Sequence, residues 1–213
     1  MAKNAHSSNA RSGNAGLPQV AVVVSRYNTQ ITSVLLEGAV RAYIERGGDP
    51  AHVHVFDAPG AFELPALALA CAESHRYAGV VALGCLIRGE TRHDRYIAEA
   101  VSHGLVSVTV ATGVPVTFGV LTVDRPSQAK ARAGGKKGNK GADAMHAALD
   151  TIAVTERIML GNGTSGASIT RALPDKTARK TNDGKDKSTK GKPEKDNGPA
   201  TPAKGETKKG GAR

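Results

Sequence analysis

The sequence predicts an α/β fold, a three-layer α/β/α sandwich built on a four-stranded parallel sheet. Three observations carry that prediction. Short runs suited to strands recur at residues 20–24, 52–56, 79–83 and 115–122. Between them lie stretches whose apolar residues fall at helical spacing. The first run, all Val and Ala, is apolar on both faces, as a strand between two helical layers should be. Strands alternating with helices at this pitch point to a parallel sheet with crossover connections.

Residues 1–17 are rich in Ala, Asn, Ser and Gly and show no periodic apolar pattern. Nothing there offsets the entropy lost on ordering, so a disordered N-terminal extension is expected. Residues 20–24 form the first strand and 25–29 the first loop. From Ile31 the apolar residues Val34, Leu35, Ala39, Ala42 and Tyr43 mark a helix that Gly47 and Gly48 stop. Residues 52–56 alternate as the second strand. The loop at 57–60 hands over to a helix with Pro65 in its first turn, where a missing N–H is tolerated, and Leu67, Ala68 and Cys71 continue it. The third strand, 79–83, ends in a turn at 83–93 that leads to another helix. Residues 106–111 have strand-forming side chains, but the gap to the fourth strand at 115–122 is too short for a parallel crossover. They are therefore read as the end of that helix. A short helix near 127–132, a glycine-rich stretch at 133–141 and a long helix striped with Met145, Leu149, Ile152 and Met159 close a domain placed at 18–160.

Composition separates this domain from what flanks it. All three Phe and all four Tyr lie between Tyr27 and Phe118, and there is no Trp. Residues 20–160 hold 14 Lys plus Arg against 13 Asp plus Glu, whereas residues 161–213 hold 13 against 6. The net charge of +10 thus belongs mainly to the ends of the chain and says little about the folded body. Residues 161–213 contain no aromatic side chain, and a disordered basic low-complexity tail is expected there. Cys71 and Cys85 have neither metal-ligand nor CxxC spacing, residues 1–17 lack the apolar core of a secretory signal, and no run is long enough to span a bilayer. A soluble, cytoplasmic protein with reduced thiols and no membrane partner follows as the expectation.

In an open parallel sheet, ligands bind outside the carboxyl ends of the strands. The loops expected there carry Tyr27 from the first, Ala61, Phe62 and Glu63 from the second, and Cys85 to His93 from the third. An aromatic ring offers a stacking face for a planar heterocycle, Glu63 can hydrogen-bond a ring edge or a polyol, and His93 can move protons near neutral pH. Each residue also has a plainer reading: Tyr27 as packing, Glu63 as a helix-terminus charge, His93 as a surface residue. Arg132, Lys136, Lys137 and Lys140 form a basic cluster among glycines, which suits either an anion or a solvated turn. Neither GxxxxGK[ST] nor a GxGxxG after the first strand is present, which argues against a P-loop or a dinucleotide site. His52, His54 and His75 have no Cys or carboxylate at ligand spacing, so no metal is expected.

Six blocks occur in one order: Arg26-Tyr27-Asn28 with Ile31-Thr32; Leu35-Leu36-Glu37-Gly38-Ala39; Pro59 through Pro65; Ala82 through His93; Phe118-Gly119-Val120-Leu121-Thr122; and Arg132-Ala133-Gly134 with Gly138-Asn139-Lys140-Gly141. Over roughly residues 20 to 160 they resemble 6,7-dimethyl-8-ribityllumazine synthase. The resemblance implies a flavodoxin-like sheet and the penultimate step of riboflavin biosynthesis, in which 5-amino-6-(D-ribitylamino)uracil condenses with 3,4-dihydroxy-2-butanone 4-phosphate. It also implies residue roles. Tyr27 stacks on the uracil ring, Ala61, Phe62 and Glu63 hold the pyrimidine and ribityl chain, and Cys85, Leu86 and Ile87 line the same pocket. Phe118 reaches in from a neighbouring subunit. Glu90, Thr91 and Arg132, helped by Lys140, bind the butanone phosphate, and His93 is the proton donor. Tyr27 stands where the family commonly has Phe or Trp, which adds a hydroxyl.

Family members assemble as pentamers, some of which build sixty-subunit icosahedral shells, and no insertion between Arg132 and Gly141 forbids that here. The expected partners are therefore the small-molecule substrates and further copies of this chain, with riboflavin synthase as a candidate; no cofactor is expected. The basic tail could hold nucleic acid or an acidic partner, or be only a solvated extension. The competing reading of the whole chain is a lumazine- or riboflavin-binding module without catalysis, and the intact His93 and Arg132 argue against it.

Overall fold

The computed structural model describes residues 16–164. The expectations for the two end segments, 1–17 and 161–213, lie outside these residues for all but a few positions. Four strands, β1 (Val20–Ser25), β2 (Val53–Ala58), β3 (Gly79–Ile87) and β4 (Val116–Val123), form one sheet in the order β2-β1-β3-β4. Every pairing in it is parallel, with Val20 opposite both Val53 and Gly79, and Val80 opposite Val116. Helices α1 (Thr29–Glu45), α2 (Leu64–Glu73), α3 (His93–Thr112), α4 (Pro126–Arg132) and α5 (Lys140–Met159) connect the strands and follow the last of them.

Strand alternation decides which helix covers which face. Val20, Val22, Val24, Val81 and Leu83 share one core with Leu35 and Tyr43 of α1 and Met145 and Leu149 of α5. Their neighbours Ala21, Val23, Val80 and Ala82 share the other with Leu64 and Ala68 of α2 and Val101 and Leu105 of α3. The result is the expected three-layer sandwich. Each fully buried Val or Leu contributes roughly 1.5–3 kcal/mol relative to exposure, so the central strands β1 and β3 anchor both layers.

The expected helical reading of residues 106–111 holds, because α3 runs unbroken to Thr112. Four details differ. First, β3 continues to Ile87, so only residues 88–92 of the expected 83–93 turn form a loop. Gly84 through Ile87 pair with Val120 through Val123, and a Cβ at Gly84 would press on Val120 and Leu64. The glycine that suggested a turn is a close-packing position in a strand. Second, His52 ends a 3₁₀ turn, Pro50–His52, which Asp49 caps by accepting a bond from the Ala51 N–H, and β2 starts one residue later. Third, Met159 is 82% exposed, because α5 outruns the sheet after Ile152. Fourth, the glycine-rich stretch is ordered into an antiparallel ribbon of β5 (Ala133–Gly135) and β6 (Gly138–Asn139), with Gly134 and Gly138 in the left-handed region that favours glycine.

That ribbon delivers Asn139 to the start of α5. Its side-chain oxygen accepts from the Gly141 and Ala142 N–H groups at 2.8 and 3.2 Å, and its amide donates to the Val34 carbonyl of α1 at 2.8 Å. One residue thus caps α5 and fastens it to α1. The approach is so close that a Cβ at Gly141 would collide with the Leu35 carbonyl. Gly141→Ala is expected to lower stability by about 1–3 kcal/mol, measured as a lower urea midpoint. Gly89→Ala, where a Cβ meets nothing within 4 Å, should change it by less than ~0.5 kcal/mol.

Candidate active site

The chain leaves β1 for β2 on one side and returns to β3 on the other, so the carboxyl ends of β1 and β3 flank the point where the winding reverses. A cleft of about 470 Å³ opens there. The β1–α1 loop supplies Tyr27 and Asn28, the β2–α2 loop Gly60 to Glu63, the end of β3 Cys85, Leu86 and Ile87, and the following loop and helix Gly89, Thr91, His93, Asp94 and Ile97.

Exposure decides between the readings of the aromatic residues. Tyr27 is 70% and Phe62 62% exposed, which rules out a packing role for Tyr27 within this chain and leaves two rings on the cleft wall. Glu63 occupies the position before α2 but makes no side-chain cap to it, so its carboxylate remains available to a ligand. Gly60 makes room for that arrangement: a Cβ there would lie 2.8 Å from a Glu63 carboxylate oxygen and 3.6 Å from the Tyr27 ring.

Asn28 was not foreseen as a site residue. It adopts the left-handed conformation, φ 55° and ψ 46°, which Asn tolerates better than most residues. Its carbonyl accepts from the Ile31 and Thr32 N–H groups to start α1, and its side-chain amide donates to the Cys85 carbonyl at 2.9 Å. The Tyr27 loop is thereby tied to the end of β3. Only the quoted Arg-Tyr-Asn run hinted at it, since its partner is 57 residues away.

The other expected site residues fall into three groups. Arg132 lies at the end of α4 and lines a separate cleft of about 180 Å³ with Asp94, Thr122, Val123, Asp124 and Gln128. Its guanidinium donates to the Gln128 carbonyl at 3.1 Å. Glu90 is exposed in the 88–92 loop, between the cleft-lining Gly89 and Thr91, but lines neither cleft itself. Phe118, midway along the edge strand β4 and 46% exposed, and Lys140, paired with Asp143 at 2.6 Å at the start of α5, line neither cleft. Among the described residues, no group of three or more His, Cys, Asp or Glu could hold a metal ion, and no helix is long and apolar enough to cross a membrane.

Burial pushes the Cys85 thiol up to about 11, and the Cys71 thiol is raised by the same cause. The thiolate is the nucleophile, so Cys85 should be inert to iodoacetamide at pH 8 in the folded protein and become reactive only as the pH approaches 11. Because folding holds the proton more tightly, this group's contribution to stability is full below its unfolded value, near 9, and is lost as pH rises from there to about 11. Mass-spectrometric alkylation across pH checks both statements, and rapid labelling of native Cys85 at pH 8 would contradict them.

Residues 18–156 match the family model described as 6,7-dimethyl-8-ribityllumazine synthase. Proteins of that name from two strains of Thermus thermophilus are each 46% identical over 140 residues, covering 66% of this chain and 89% of theirs. One from Xylella fastidiosa is 42% identical over 137 residues, covering 64% and 89%. The matched segment contains every strand of the sheet and all of the loops that build the cleft, and on these grounds the chain belongs to the 6,7-dimethyl-8-ribityllumazine synthase family.

Proposed function

We propose that this protein is a lumazine synthase, a transferase of riboflavin biosynthesis. It joins 5-amino-6-(D-ribitylamino)uracil to 3,4-dihydroxy-2-butanone 4-phosphate and releases the lumazine, inorganic phosphate and water. The observation that carries the reading is the convergence of Tyr27, Ala61, Phe62, Glu63, Cys85, Leu86, Ile87, Thr91 and His93 on one cleft, inside the segment that matches the family. The non-catalytic binding module is not favoured, since the relatives over this segment carry the synthase's name and His93 stands on the cleft wall.

The chemistry assigns each group a task. Tyr27 stacks on the pyrimidine, while Glu63 and the backbone at 61–62 bond its edge and the ribityl hydroxyls. The 5-amino group adds to the ketone to give a carbinolamine, which loses a first water to form an imine. Loss of a proton from the carbon next to the imine then expels phosphate and leaves an enol, which takes up a proton to become a ketone. Attack of the ribitylamino nitrogen on that new carbonyl closes the ring with loss of a second water. His93 gives and takes these protons through its imidazole nitrogens. Arg132 balances the charge of the departing phosphate, with Thr91 on the adjoining cleft wall; Glu90 and Lys140, which the resemblance adds to that site, line neither cleft of a single chain. Holding two reactive molecules side by side supplies much of the acceleration.

The assembly reading is a pentamer, which can extend to an icosahedral shell in the cytoplasm, with riboflavin synthase as the partner that takes the product. Supporting it, Phe118, Tyr96, Val106 and Val110 expose apolar surface along β4 and α3, and Phe118 is free to complete a neighbour's cleft because it lines neither cleft of its own chain. The charge excess of residues 161–213 gives the chain a segment able to hold nucleic acid or an acidic partner at low salt. Deleting those residues should abolish salt-sensitive retention on nucleic acid, and a full chain that is never retained would end that idea.

Mixing the purified protein with both substrates and following lumazine absorbance tests the reaction itself. Acceleration over the uncatalysed background is expected, and none would refute the assignment. His93→Ala should slow turnover by roughly 100-fold, the lower end for a lost general acid–base, because substrate juxtaposition survives. Complete loss with unchanged binding of both substrates would contradict the role given to proximity.

A further inference from the structure

One residue belongs to both clefts. Asp94, in the first turn of α3, lines the larger cleft with Tyr27, Glu63 and His93 and the smaller one with Arg132. Two arginines of the same loop and helix turn are paired with other carboxylates. Arg95 is bonded to Glu99 at 2.7 Å, and Arg88 pairs with Asp124 at 3.6 Å. Asp94 itself is in no ion pair among the described residues, and the Arg132 guanidinium is bonded only to a neutral carbonyl. The smaller cleft therefore holds an unpaired cation and, where it adjoins the larger one, an unpaired anion.

A carboxylate accepts hydrogen bonds from hydroxyls and repels anions, whereas a guanidinium attracts and bidentately binds phosphate. Such a pair sorts a molecule that carries both kinds of group. We propose that Asp94 is a specificity-determining residue that receives the hydroxyls of the phosphorylated dihydroxyketone at the junction of the two clefts and keeps its phosphate on the Arg132 side. This rests on the synthase reading above. The hydroxyketone carbons then extend past Asp94 toward the heterocycle, and the same repulsion keeps released phosphate out of the ring cleft. Without Asp94 the junction would carry no charge to hold the dianion back on the Arg132 side, and phosphate displaced toward the ring cleft is unproductive.

The test uses the full chain and Asp94→Asn, which removes the charge and keeps the size. Inorganic phosphate is titrated into the resting protein by calorimetry, and KM and kcat are measured separately for each substrate. Asp94→Asn is expected to bind inorganic phosphate on the order of fivefold more tightly, since a charge repulsion has been lifted. It should also lower kcat/KM for the butanone phosphate on the order of tenfold and leave KM for the diaminouracil unchanged. Asp94→Glu, which retains the acceptor and the charge, should keep the original weak phosphate affinity. Equal phosphate affinity and equal kcat/KM in the original and Asp94→Asn would overturn the proposal. So would a parallel rise in KM for both substrates, the mark of a merely structural role. Phosphate binding is read without turnover, so a chain that makes no lumazine refutes the reaction while the titration still reports whether Asp94 governs the anion.

Discussion

An all-parallel sheet permits no hairpins between neighbouring strands: each connection must cross back over a face before the next strand can start in the same direction. That constraint places the carboxyl ends of all four strands on one edge and all the loops that follow them beside one another. With the order β2-β1-β3-β4, the reversal falls between β1 and β3, the two strands buried most completely. The cleft is consequently built on the most deeply buried strands of the sheet. The cleft is lined by loops, by the last residues of β3 and by the start of α3, all close to the carboxyl ends of these strands.

Rigid strand ends do not by themselves fix flexible loops, and two polar residues do that work. Asn28 ties the Tyr27 loop to the Cys85 carbonyl, and Asn139 ties the start of α5 to the Val34 carbonyl. Each also contributes to starting a helix, Asn28 through its backbone carbonyl and Asn139 through its side chain. At α5 the Asn139 side chain satisfies N–H groups that a helix terminus would leave unpaired, whereas at α1 the backbone carbonyl does so and the Asn28 side chain is left to hold Cys85. Glycines supply the necessary room, with Gly60 accommodating the Glu63 carboxylate and Gly141 the Leu35 carbonyl.

Much of this was legible in the chain. The Val-rich runs gave the strands because burial on both faces demands continuous apolar sequence, and the short gap before residue 115 kept 106–111 helical. Tyr27, Glu63 and His93 were legible as ligand-facing only because topology places their loops at one edge; exposure then removes the packing reading of Tyr27, Glu63 makes no side-chain cap to its helix, and His93 lines the cleft. The extent of β3 was not legible, since Gly84 looks like a turn residue until its neighbours Val120 and Leu64 are known. Asn28 and Asp94 were hidden for a related reason. Their significance lies in a partner 57 residues away and in a second cleft, and neither leaves a local pattern. The roles of Phe118, Glu90 and Lys140 came from the family resemblance alone, and a single chain does not gather them.

The central claim is that two adjoining clefts divide the two substrates, with Tyr27 serving the heterocycle and Arg132 the phosphate. Measuring KM for each substrate in Tyr27→Ala and in Arg132→Ala tests that division most directly. The account predicts that Tyr27→Ala raises KM for the diaminouracil alone and Arg132→Ala raises it for the butanone phosphate alone, each by on the order of tenfold or more. A Tyr27→Ala enzyme whose KM for the diaminouracil is unchanged, or an Arg132→Ala enzyme whose KM for the butanone phosphate is unchanged, would contradict it.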